Sequence, residues 1–328
     1  MNGTTYFSKD ALRIDPEEET EKICHFLRET MLNRLKRRGV VVGLSGGIDS
    51  SVTAALAVRA LGKGRVMGLE MPERYCAEET VRFSSMVTAT LGIPSVREDI
   101  TGVLDAVGCY RRYDGAVRQV VPEYGEGWKS KIVTSDTMAQ RGFTTFSVVV
   151  QSPDDVITRI RLPLQAYLEI VAATNFKQRS RKMLEYYHAD RLHYCVAGTA
   201  NRLEHELGFF VKLGDGASDV KPIAHLYKTQ VYQLAEHLGI PMEIRTRKPT
   251  TDTYSLAQGQ DEFYFSLPYE KMDLCLYARD NDVPPDQVAD LLELTTDQTM
   301  GLLNDIDTKR RTTRYLHLAP ILMQDSED

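Results

Sequence analysis

Val40-Val41-Val42-Gly43-Leu44-Ser45-Gly46-Gly47-Ile48-Asp49-Ser50-Ser51 carries a short apolar run into a glycine-rich turn, and Val52 to Leu61 follows with a helical pattern. Strand, turn and helix in that order leave backbone N–H groups bare at a helix N-terminus, where unpaired donors and the positive dipole end favour an anion. The glycines let the main chain approach phosphate oxygens closely. Asp49 then sits where a carboxylate can share a Mg²⁺ with those phosphates, because that ion takes one or two carboxylates and fills its octahedron with phosphate oxygens and water. A chance Ser-Gly-Gly-x-Asp-Ser arises in a chain of this length at odds of roughly one in a few thousand. No lysine follows the second glycine, so the Walker pattern of P-loop kinases and GTPases is excluded.

Working outward, Asp15-Pro16 opens a helix on which Ile23, Phe26, Leu27, Met31 and Leu35 recur at helical spacing until Gly39. Arg65 to Glu70 reads as a second strand, Ala77 to Leu91 as a helix stopped by Gly92 and Pro94, and Ser95 to Asp99 as a third strand. This alternation predicts an α/β fold: a doubly wound, mainly parallel sheet flanked by helices. Ligands in such sheets bind at the carboxyl ends of the strands, where the glycine loop lies. From about 101 to 160 the periodicity fades, which reads as an inserted subregion with short antiparallel strands around Thr144 to Val150. Helices are expected over Leu164–Ala173 and Arg179–Leu192, and a strand over His193–Ala197. A helical C-terminal part follows over about 268–320, broken at Pro284-Pro285 and Thr295-Thr296. All of 1–328 is expected to form one domain carrying that insertion.

With 328 residues and 42% hydrophobic content, the chain can bury a substantial core. A net charge of −6 gives no basic footprint for nucleic acid. The five cysteines are odd in number, widely spaced and never Cys-x-x-Cys, which argues against a disulfide framework and a zinc site. No apolar stretch approaches the ~18 residues of a membrane span, so no membrane partner and a cytoplasmic location are expected.

A second polar cluster follows the strand at His193–Ala197. It reads Gly198-Thr-Ala-Asn-Arg-Leu-Glu-His-Glu-Leu-Gly-Phe-Phe-Val-Lys-Leu-Gly-Asp-Gly-Ala-Ser-Asp219, then Leu226-Tyr-Lys-Thr-Gln230 and Lys248-Pro-Thr-Thr-Asp252. Asn175-Phe-Lys-Gln-Arg-Ser-Arg181 lies upstream. The glycine loop resembles the pyrophosphate loop of the ATP pyrophosphatase superfamily, whose members split ATP between the α and β phosphates. The later segments are similar in order and spacing to the amidating domain of the NAD synthetases, over about two-thirds of the chain. The nearest likeness is to the ammonia-using members.

That resemblance implies a ligase that adenylates deamido-NAD with ATP and lets ammonia displace AMP. It assigns Gly43, Leu44, Ser45, Gly46, Gly47, Ile48, Asp49 and Ser50 to the ATP phosphates, and Thr199, Lys228 and Thr250 to further ATP contacts. Asp49 and Glu204 become the Mg²⁺ ligands, with Asp49 and Lys228 the catalytic pair. Arg179, Lys212, Asp219, Thr308 and Lys309 become contacts to deamido-NAD. Asp215 fits a turn residue equally well, since Asp and Gly favour turns. Where the family commonly carries His-Lys near the C-terminus, this chain reads Asp307-Thr308-Lys309-Arg310 and keeps only the lysine. The 101–160 region is longer than in compact members, which suggests a reshaped or covered second pocket.

Only about 40 residues precede the loop, so no glutamine-amidase domain is expected. Either free ammonia is the nitrogen source or a separate glutaminase supplies it. The family resemblance also implies a homodimer, with the N-terminal helix and the helices around 163–190 as contact surfaces. The alternative is a related ATP pyrophosphatase that adenylates and amidates a different small-molecule carboxylate.

Overall fold

The computed structural model describes residues 7–134, 145–247, 249, 253–259, 264–265 and 267–323. After a 3₁₀ turn at Lys9–Leu12, α1 (Pro16–Glu29) starts on Asp15, whose carboxylate accepts the Glu17 and Glu18 N–H groups. It runs on as a wider turn over Thr30–Leu35 and stops at Lys36 in the left-handed region (φ 52°), three residues before the Gly39 stop that the sequence suggests.

Alternation then proceeds as β1 (Val40–Gly43), α2 (Ile48–Leu61), β2 (Val66–Glu70), α3 (Glu78–Leu91) and β3 (Ser95–Arg97). Two short helices follow, α4 (Thr101–Ala106) and α5 (Cys109–Arg118). Next come three strands, β4 (Lys129–Thr134), β5 (Phe146–Gln151) and β6 (Ile157–Arg161), in an antiparallel sheet of order β4-β5-β6. The 101–160 region therefore holds more regular structure than its faded pattern suggests. The helix expected in two pieces is one, α6 (Leu164–Leu192), and it spans Thr174 and Asn175 without a break. Thr174 Oγ1 donates to the Ile170 carbonyl, 3.1 Å away, which satisfies its hydroxyl inside the helix.

Strand β7 (Cys195–Ala197) pairs with β1 on the side opposite β2, giving a parallel sheet of order β3-β2-β1-β7. The remaining elements are helical: α7 (Arg202–Leu207), α8 (Lys228–His237), α9 (Met242–Arg245), α10 (Tyr269–Asp280), α11 (Pro285–Leu292) and α12 (Thr296–His317). The last two begin at the expected Pro284-Pro285 and Thr295-Thr296 breaks. Both faces of the parallel sheet are buried, Val40 and Val42 in one apolar cluster with α2 and α8, Val41 and Val196 in another with α4 and α6. The predicted fold class is borne out. Between β1 and β7 the direction of winding reverses, and such a switch point opens a crevice at the strand ends.

Candidate active site

The crevice is a cavity of about 750 Å³, bordered by the loop after β1, the loop after β7, the inner face of α6, α12 and the insert. Gly47 caps α2 with no side chain bonded to its first N–H groups, so the helix presents an open anion site. Gly46 has φ +67°, and a Cβ there would lie 2.8 Å from Phe83 Cβ and from the Thr80 carbonyl. Only glycine fits both demands. Ser50 Oγ donates to the Gly47 carbonyl (3.0 Å) and Ser51 Oγ to the same oxygen (2.8 Å), which stiffens the loop.

Three helices converge on that loop. Asp49, on the first turn of α2, forms an ion pair with Lys228, the first residue of α8, and accepts a hydrogen bond from Asn201 Nδ2 at 3.2 Å. Asn201 caps α7 by accepting the Glu204 N–H (3.1 Å), while Glu204 reaches back to the Asn201 N–H (3.3 Å). Burial, followed by repulsion from Asp49, pushes the Glu204 carboxyl up to about 7. The neighbouring carboxylates raise the Lys228 ammonium against its own burial, so it stays charged. Asp49 and Glu204 thus lie close enough to act on Lys228 and on each other. A pair of carboxylates so placed suits a divalent cation held by Asp49 and Glu204, as Mg²⁺ would be with phosphate oxygens completing its shell. Among the described residues no group of three or more His, Cys, Asp or Glu is arranged for a metal.

Of the residues singled out in the sequence, Gly43, Leu44, Ser45, Gly47, Ile48, Asp49 and Ser50 border the cavity. So do Thr199, Glu204, Lys228, Arg179, Lys212, Thr308 and Lys309. Gly46 supports the loop from behind, against α3. Thr250 lies outside the described residues. Asp219 does not border the main cavity: its carboxylate accepts the Val196 N–H (2.8 Å) and the Tyr186 hydroxyl (3.3 Å), beside a second hollow of about 210 Å³. Lys212 Nζ donates to the Tyr315 and Leu318 carbonyls at the end of α12. Lys309 Nζ meets Asp305 and the Tyr264 carbonyl, both at 2.6 Å.

Several groups escaped the sequence reading. Lys177 is buried on α6 with Nζ 2.8 Å from Glu73 and from the Thr253 carbonyl, and Glu73 also accepts the Tyr110 hydroxyl (2.7 Å). Burial lowers its ammonium below the ordinary value even though Glu73 opposes the shift. Asp273 of α10 accepts both the N–H and the hydroxyl of Thr229, each at 2.7 Å, and so fixes the start of α8 where Lys228 stands. Asp215, left open as a turn residue, accepts the Val211 N–H (2.7 Å) as a turn residue would and also borders the cavity. Long-range partners of this kind leave no periodic trace in a sequence.

An anion-binding helix N-terminus at the switch point of a parallel sheet marks an α/β nucleotide-binding enzyme, and this protein is of that class. The NAD synthase family model matches residues 19–121 and 136–314, so the chain belongs to that family. It is 55% identical to the NH(3)-dependent NAD(+) synthetase of Rhizobium meliloti (strain 1021) over 98% of this chain and 96% of the relative. The NH(3)-dependent NAD(+) synthetase of Thermotoga neapolitana is 34% identical over 78% of this chain and 82% of its own length. In fold the chain resembles the NH3-dependent NAD synthetase of Campylobacter jejuni, with a TM-score of 0.62 and 23% identity over 95% of this chain and all of that one. It also resembles the NMN synthetase of Francisella tularensis, with a TM-score of 0.64 and 20% identity over 94% and 99% of the two chains.

Proposed function

We propose that this chain makes NAD by the ATP-dependent amidation of deamido-NAD with ammonia, in keeping with relatives named NH(3)-dependent NAD(+) synthetase. A carboxylate is a poor electrophile. Attack of its oxygen on the α-phosphorus of ATP breaks the α–β bridge, pyrophosphate leaves with the bonding pair, and the acid becomes a mixed anhydride with AMP. Ammonia then adds to the acyl carbon, AMP departs, and loss of a proton leaves the amide.

The N–H groups at the start of α2 hold the phosphates while Lys228 offsets the charge that builds on the departing pyrophosphate. A Mg²⁺ bound by Asp49 and Glu204 would draw further charge from the phosphate oxygens. Thr199 and Thr250 complete the ATP contacts. Arg179, Lys212, Thr308 and Lys309 face deamido-NAD across the cavity, whereas Asp219, bonded to Tyr186 and to β7, stands beside the second hollow instead. Positioning and electrostatics carry the rate, with no protein nucleophile. Burial pushes up the thiols of Cys24, Cys109, Cys195 and Cys275, so none of these four is an activated nucleophile of the kind a glutamine amidase needs. Ammonia arrives free or from a separate glutaminase, with the reaction placed in the cytoplasm. We read the whole chain as one catalytic domain, paired in a homodimer.

The observation that carries this reading is the convergence of Asp49, Lys228 and Glu204 on an open helix N-terminus. Purified protein given ATP, Mg²⁺, ammonium and deamido-NAD should release AMP and pyrophosphate in equal amounts with NAD. Turnover of another acid in place of deamido-NAD would favour the alternative substrate; failure to release AMP with every acid tested would end the proposal.

A further inference from the structure

Asn201 is 1% exposed, and both ends of its side chain are engaged. Its Oδ1 accepts the Glu204 N–H (3.1 Å) while its Nδ2 donates to Asp49 Oδ1 (3.2 Å), so one amide joins the two residues to which Mg²⁺ is assigned. The Asn201 N–H in turn donates to Glu204 Oε2. An amide suits this double task, since it carries an acceptor and a donor, whereas a carboxylate has no donor for Asp49. Asn201 stands behind the cavity wall, which Thr199, Ala200 and Glu204 line and Asn201 does not.

The frame that carries this amide is fixed. Leu203 and Leu207 anchor α7 in the apolar cluster that also holds Met272 of α10 and Ile306 of α12. The Arg202 N–H donates to the Leu226 carbonyl (2.8 Å), just ahead of Lys228, and the Phe209 N–H closes the far end of α7 on the Glu204 carbonyl (2.8 Å). Asn201, Glu204 and the start of α8 therefore form one scaffold. Asp49 belongs to a separate helix, α2, and its approach to Glu204 must be set across that gap.

Lys228 also bonds Asp49, yet in the proposed reaction the same ammonium serves the departing pyrophosphate. A divalent cation on Asp49 repels that ammonium as well. The Asn201 bond has neither conflict. It takes one lone pair of Asp49 Oδ1 and leaves the carboxylate its full negative charge, so it holds Asp49 in place with or without the cation. Groups that orient metal ligands from behind act in this way.

Building on the proposed Mg²⁺ and ATP site, we infer that Asn201 is a positioning residue that sets Asp49 against Glu204 for the divalent cation. It acts through these two carboxylates and not on the substrates. Its helix cap and its bond to Asp49 are separable tasks, and the second is the one that the cation needs.

Asn201→Ser separates them, because serine caps a helix about as well as asparagine but is too short to reach Asp49 as well. Full-length wild type and N201S are titrated calorimetrically with α,β-methylene-ATP, which cannot be split at the α–β bridge, once with Mg²⁺ and once with EDTA. Mg²⁺ should tighten binding to the wild type. In N201S that gain should shrink about tenfold, the lower end of the loss seen when a metal ligand loses its orienting partner. Affinity in EDTA should stay within about twofold, and the ligand-free melting temperature within about 4 °C, since the cap survives. An equal Mg²⁺ gain in the two proteins, or a loss of the same size in EDTA, overturns the inference. If N201S does not fold, Asn201→Thr, also a capping residue too short for Asp49, decides in its place. The measurement uses no acid and no turnover, so it stands apart from the amidation reading. Wild-type protein that gains nothing from Mg²⁺ would refute the Mg²⁺ assignment itself, a separate result.

Discussion

At Glu204 a buried carboxyl stands beside a second carboxylate. An isolated carboxyl titrates near 4.5, whereas in the folded chain burial and Asp49 push this one up to about 7. Between those values the native state binds a proton that the unfolded chain has released. Stability without cation or nucleotide therefore falls as pH rises through that window. Glu204→Gln removes the titrating group. Relative to that variant, the wild-type melting temperature should drop between pH 5 and pH 7.5, and Mg²⁺ with ATP should recover it at pH 7.5 by binding the ionised form. Parallel melting curves for the two proteins across that range would show that Glu204 does not face Asp49 as described.

Among the secondary elements, α8 illustrates how the side chain proposed to act on the phosphates depends on another helix. Lys228 is the first residue of α8, and the N-terminal groups of that helix are satisfied by Asp273 from α10, whose own carboxyl burial pushes up to about 6. Asp273→Asn keeps the shape but weakens charge-assisted bonds to the Thr229 N–H and hydroxyl. A loss of about 1–3 kcal/mol is expected from denaturant midpoints, together with a fall in kcat as Lys228 shifts. An unchanged kcat in a destabilised variant would mean that Lys228 is positioned by Asp49 alone. Nothing local in Tyr269–Asp280 signals this task, which is why the sequence reading passed over it.

The elements that were legible are those whose pattern is local. Val40–Gly43 and the glycine turn declare strand, turn and helix start within a dozen residues, and Gly92 and Pro94 stop α3 as read. Elsewhere tertiary packing overrides propensity. Thr174 and Asn175 are weak helix formers, yet α6 passes through them because Ala166, Ile170 and Ala173 are buried on its inner side. In the insert, Gly102, Gly108 and Gly115 obscure two short helices, and β6 (Ile157–Arg161) is mostly exposed, so neither periodicity stands out.

Taken as a whole, the molecule asks two things of α6. Its inner face forms the long wall of the cavity, while Leu164, Leu168, Met183 and Tyr187 stand exposed on the same 29-residue helix. Large apolar side chains spread over some twenty residues of one helix are costly to leave in water, and the proposed homodimer would cover them with the same helix of a second copy across a two-fold axis. Such pairing would also brace the wall on which Tyr167, Gln178 and Glu185 are mounted. Light scattering should then give the wild type a mass near twice 37.1 kDa. Leu168→Glu with Met183→Glu places like charges across the axis and should yield monomers with weakened deamido-NAD turnover. A wild type that runs as a monomer, or a double variant that stays paired, would remove α6 from the interface and leave its exposed side chains to another explanation.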